Sequence, residues 1–227
     1  MVEQVLEDMP GGKLSHRPLH FFWIVDCSSS MGVDGTIQAL NAAIREVVPA
    51  MRDAAKGHPE VAVKVRAVSF SSGAQWHVSQ ETPVEDFEWR DLSAKGATNL
   101  GRAIDLVIDA LDTEKMGDRG IGPVFVLVLG SQPTDDWRNS LDKLNRLPWG
   151  RKAVRISIAV GQGADRDVLQ AFINNPDMEI LDVSRMGQLF SFIEWSHPGA
   201  AGIVYTVSDY HPIDADPGVP PHQCNVW

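Results

Sequence analysis

Phe21-Phe22-Trp23-Ile24-Val25-Asp26-Cys27-Ser28-Ser29-Ser30-Met31-Gly32 is the stretch on which the reading of the chain turns. Five consecutive apolar residues suit a strand that helices cover on both faces. The run ends at a carboxylate and gives way to a small-residue loop through Gly35. Apolar residues then recur at Ile37, Leu40, Ile44, Val47 and Met51, which is helical spacing. Pro49 is expected to kink or shorten the end of that helix.

The same alternation continues down the chain. Val61–Val68 alternates like a strand with one wetter face, and Gln75–Val78 suits a short edge strand antiparallel to it. Leu100, Ile104, Val107, Ile108 and Leu111 mark a second helix, and Val124–Leu129 a second wholly apolar strand. Trp137, Leu141 and Leu144 mark a helix for which Asp135 or Asp136 would serve as cap. Val154–Val160 is a further strand, and Val168, Leu169, Phe172 and Ile173 a helix. Glu179–Val183 is the last strand, and Gln188–Trp195 a closing helix. The pattern predicts an α/β fold: a doubly wound, mostly parallel central sheet flanked by helices, with one short antiparallel edge strand. Residues 1–19 read as an N-terminal extension, 20–196 as the domain and 197–227 as a proline-rich tail carrying Pro198, Pro212, Pro217, Pro220 and Pro221.

Composition narrows the function. The chain has 227 residues, is 44% apolar and carries a net charge of −10, so a substantial core is expected. The acidic balance argues against nucleic acid or an anionic membrane as partner. No apolar run approaches the ~20 residues of a membrane span, and Met1–Lys13 does not read as a signal peptide. Cys27 and Cys224 lack metal-site spacing, so a reduced, cytoplasmic chain is expected.

In an open α/β sheet, ligands collect at loops leaving the carboxyl ends of the strands. Asp26, Ser28 and Ser30 recur at every second position of such a loop, and all are oxygen donors suited to Mg²⁺ or Mn²⁺ rather than zinc. A helix-capping role for these small residues is the plainer alternative. A second loop, Gly96-Ala97-Thr98-Asn99-Leu100-Gly101, opens a helix and brings a hydroxyl at Thr98.

Asp-x-Ser-x-Ser after an apolar strand, followed by Gly-Ala-Thr-x-Leu-Gly before a helix, strongly resembles the von Willebrand factor A (VWA) family from about Phe21 to Trp195. The resemblance implies a metal-ion-dependent adhesion site (MIDAS) of Asp26, Ser28, Ser30 and Thr98. Ser28 and Ser30 would contact the ion directly, and Asp26 largely through water. The family usually adds an aspartate after the fourth major strand, and Gly130 stands at that position here. A Mg²⁺, Mn²⁺ or Ca²⁺ ion would then be held weakly, and Gly130→Asp is expected to tighten it. Asp34, Asp135 and Asp136 are the nearby carboxylates that could substitute.

Gln132-Pro133-Thr134-Asp135-Asp136-Trp137 further resembles intracellular bacterial TerY-type proteins of tellurite-resistance systems. That likeness implies a protein kinase and a metal-dependent protein phosphatase as partners. The expected function is a non-enzymatic interaction module or scaffold. The alternatives are a metal-independent interaction domain with a vestigial site and a phosphoryl-transfer hydrolase using Asp26 as nucleophile. The hydrolase reading lacks an acid two residues on, where Ser28 stands, and a visible acid–base partner. The tail, ending in Trp227, would offer a second docking element.

Overall fold

The computed structural model describes residues 17–111 and 121–186. Its strands are β1 (Arg17–Asp26), β2 (Val61–Phe70), β3 (Ala74–Pro83), β4 (Val124–Leu129), β5 (Val154–Ala159) and β6 (Leu181–Asp182). Its α-helices are α1 (Thr36–Lys56), α2 (Leu100–Ala110), α3 (Trp137–Arg146), the short α4 (Pro148–Lys152) and α5 (Arg166–Ile173). The expected closing helix and the tail lie outside the described residues.

The strands form one sheet in the order β3-β2-β1-β4-β5-β6. All neighbours are parallel except β3, which runs antiparallel to β2 at the edge. The chain builds outward from β1 through β2 to β3, then crosses back to β4 on the other side. This reversal opens a crevice at the carboxyl ends of β1 and β4, the place where such sheets hold ligands.

Strand periodicity divides the core into two layers. Phe21, Trp23 and Val25 face one side, with Ile37, Leu40 and Ile44 of α1. Phe22 and Ile24 face the other, with Ile104 and Val107 of α2 and Leu141 and Leu144 of α3. Every residue of β4 is buried, which explains its unbroken apolar sequence.

Three expectations are corrected. Helix α1 runs through Pro49 to Lys56; Pro49 is exposed, so water can take the carbonyl that the missing N–H leaves unpaired. The edge strand is ten residues long rather than four, with register shifts opposite Ala67. The last strand shrinks to Leu181–Asp182.

Candidate metal centre

Asp26 is the last residue of β1 and fully buried, because it continues the inward-facing row of Phe22 and Ile24. Its carboxylate ties two strand ends together. Oδ1 accepts the Ser28 N–H (2.8 Å), while Oδ2 accepts the Gly130 N–H (3.1 Å) and the Ser131 hydroxyl (3.3 Å). Burial pushes the Asp26 carboxyl above its ordinary range, against the pull of hydrogen bonds from Ser28, Gly130 and Ser131.

The hydroxyls converge above that carboxylate. Ser28 Oγ lies 2.9 Å from Ser30 Oγ and 3.3 Å from Ser131 Oγ, and Thr98 Oγ1 lies 2.8 Å from Ser131 Oγ. Ser131 has spent its one proton on Asp26, so it accepts from Thr98 and Ser28. Ser28 and Thr98 are buried, whereas Ser30 is exposed and Ser131 half-buried. The cluster therefore has a dry floor and a wet lip.

Backbone bonds hold the second loop against the first. Lys95 N–H donates to Cys27 O (2.8 Å), Ser29 N–H to Gly96 O (2.9 Å) and Asn99 N–H to Ser71 O (2.8 Å). Gly96 adopts φ +76°, and a Cβ there would collide with Ser72, so glycine is required on both counts. A third loop closes on the second, with Thr134 N–H donating to Thr98 O (2.8 Å).

All four expected residues, Asp26, Ser28, Ser30 and Thr98, are thus brought together. Ser131, which was not among them, joins three of them. Its signal in the sequence is its place directly after Gly130, two residues past the end of the wholly apolar strand β4. The candidate substitute carboxylates go elsewhere. Asp135 accepts the Gly101 and Arg102 N–H groups (3.0 and 3.1 Å) and so caps α2, while Asp136 caps its own helix α3. Asp34 is exposed at φ 51°. At Gly130 the space a side chain would occupy is filled by the Met31 sulfur.

Similar folds occur among solved structures. Proximal thread matrix protein 1 from the mussel byssus superposes with a TM-score of 0.58 at 17% identity, covering 78% of this chain and 47% of its own. The ArnB paralog VWA2 from Sulfolobus acidocaldarius gives 0.55 at 16% identity, covering 78% of this chain and 44% of its own.

The fold is VWA-like.

Manganese-loaded TRAP protein of Plasmodium vivax gives 0.56 at 15% identity, covering 78% of this chain and 72% of its own. One structure of the mussel protein has a zinc-occupied MIDAS motif. This VWA-like chain spans less than half the length of the mussel and archaeal chains. No protein-family model and no curated protein matches its sequence.

The donor set of the VWA-like domain fits a hard cation. It comprises one carboxylate and four hydroxyls, with no sulfur or imidazole among them. Among the described residues no group of three or more His, Cys, Asp or Glu side chains is placed to hold a metal ion. Retention of an ion would therefore rest on hydroxyls.

Proposed function

We propose that this VWA-like chain is a non-enzymatic protein-interaction module whose oxygen cluster binds a divalent cation and, through it, an acidic side chain of a partner. The observation that carries this reading is the convergence of Asp26, Ser28, Ser30, Thr98 and Ser131 at the crevice between β1 and β4. Those five residues would hold Mg²⁺ or Mn²⁺. A divalent ion beside a single carboxylate keeps net positive charge, and a partner's Asp or Glu completes it.

The surroundings suit docking. Val33, 58% exposed, is the exposed large hydrophobic side chain among the described residues, and it lies on the loop that carries Ser30. An apolar contact next to a charged one gives an interface both burial and orientation.

A hydrolytic role for Asp26 is poorly supported. Both of its oxygens are engaged by Ser28, Gly130 and Ser131, and the carboxyl is fully buried. A nucleophile needs an exposed lone pair and an adjacent acid–base group. A metal-independent interaction is the second reading, favoured by one observation: the Ser28, Ser30, Thr98 and Ser131 hydroxyls hydrogen-bond one another, and a cation would have to displace those bonds. By its likeness to TerY-type proteins, the chain would act as a cytoplasmic scaffold for a protein kinase and a metal-dependent protein phosphatase.

Capture of partners from a native lysate with and without chelator tests the proposal. The expected result is loss of kinase or phosphatase capture in chelator and in the Ser28→Ala/Ser30→Ala variant. Capture that survives both treatments shifts the assignment to the metal-independent reading.

A further inference from the structure

A cavity of about 440 Å³ lies on the opposite face of β1 from Asp26, lined by Cys27, Ser69, Ser71, Gln75, Ser93 and Lys95 among others. It exists because one row of side chains shrinks. Along β2 the residues facing α1 run Val61, Val63, Val65, Ala67 and then Ser69. The matching row of β1 ends Trp23, Val25, Cys27. The apolar layer therefore gives way to small polar groups where the sheet meets the Asp91–Lys95 segment.

Ser69 has 1% of its surface exposed, and its hydroxyl has no hydrogen-bond partner other than the neighbouring Cys27 thiol. A buried hydroxyl paired only with a thiol is weakly satisfied, and a ligand that pairs with it improves on that contact. The charges around it are unequal. Asp91 is neutralised by its ion pair with Arg45, whereas Lys95 is exposed and forms no salt bridge among the described residues. Burial keeps the Cys27 thiol protonated, and it donates to Phe70 O at 3.2 Å. The cavity thus presents one uncompensated ammonium and several hydroxyl and amide donors.

We propose that this cavity is an anion-accepting subsite that receives a carboxylate of an acidic partner segment. It rests on the interaction reading above, since Cys27 lines the cavity and its two neighbours, Asp26 and Ser28, belong to the oxygen cluster. Adjacent Cα atoms are about 3.8 Å apart, so the two subsites meet at one short stretch of chain, and a short extended segment of a partner would reach from one to the other. One acid would meet the cluster while the next enters the cavity.

The test uses a fluorescein-labelled hexaglutamate peptide, titrated by anisotropy against the full chain in Mg²⁺ and in chelator. Lys95→Gln removes the charge, and Ser69→Val continues the valine row and fills the cavity. Lys143→Gln, on the distant helix α3, controls for the loss of any positive charge. The expected result is at least a fivefold weaker affinity for Lys95→Gln and for Ser69→Val in both buffers, with under twofold change for Lys143→Gln. Thermal melts at or above that of the unaltered chain verify the fold of Ser69→Val, and Lys95→Gln carries the test alone if that variant fails to fold. Affinity within twofold for Lys95→Gln, an equal loss for Lys143→Gln, or no binding of the probe at 1 mM overturns the proposal. A fivefold loss in chelator with no Mg²⁺ effect on the unaltered chain keeps the cavity assignment and removes the metal from the reading above.

Discussion

Met31 and Gly130 are one structural decision made at two positions. Met31 is 1% exposed, and its sulfur occupies the volume that a Cβ on residue 130 would enter. An aspartate at this position, which the VWA resemblance leads one to expect, would therefore meet a space that is already packed. Gly130→Asp alone must displace the methionine, and overpacking of this kind costs about 1–3 kcal/mol. The expectation that this substitution by itself tightens cation binding is revised accordingly. Gly130→Asp should lower the urea midpoint without a gain in Mg²⁺ affinity. Gly130→Asp with Met31→Ala should bind Mg²⁺ more tightly than the unaltered chain by calorimetry. A single variant that keeps its stability and gains affinity would show that Met31 swings aside freely. Ser131 teaches a related lesson. A serine after a strand has many ordinary uses, and only the approach of three loops reveals that this one bridges Asp26, Ser28 and Thr98.

Helix α1 carries a second residue that periodicity conceals. Asn41 is 2% exposed on the apolar face between Leu40 and Ile44. Its Nδ2 donates to Leu92 O (2.9 Å), and its Oδ1 accepts from Trp89 Nε1 and Leu92 N (3.0 Å each). One side chain thereby pins the segment that leads into the Thr98 loop. Asn41→Ala orphans three buried partners and should cost about 3 kcal/mol, measured by chemical denaturation. Faster amide exchange at Leu92 should accompany it, and a loss below about 1 kcal/mol would show that water replaces the amide. The buried strands were legible because unbroken apolar runs have few other uses. Strand β3 was half visible, because its residues are exposed or half-buried and a register shift breaks its alternation. Helix α4, only five residues long, has no period to read.

Acidity acts on the fold as a whole, through His20, buried on β1, and His77, half-buried on β3. His20, 2% exposed on β1, sits 3.4 Å from Glu81 Oε1 on β3, and Lys64 Nζ lies 3.0 Å from the other oxygen of Glu81. Burial lowers the His20 pKa from 6.5; Glu81 opposes the shift, while Lys64 and Arg66 add to it. His77 is lowered as well, chiefly by burial. The unfolded chain thus takes up these protons near pH 6.5, at a higher pH than the fold does, so stability falls as pH drops from there toward the lowered values. Asp26 works in the opposite sense, since its raised pKa makes stability fall as pH rises from its ordinary value of 3.8 to the folded one. Comparing variants separates the two. Between pH 7.5 and 5.5, the melting temperature of His20→Leu should fall less than that of the unaltered chain. Glu81→Gln removes the charge that supports protonated His20 and frees Lys64 beside it, so its melting temperature should fall more. Equal slopes in all three proteins would place the acid sensitivity outside the β1–β3 face.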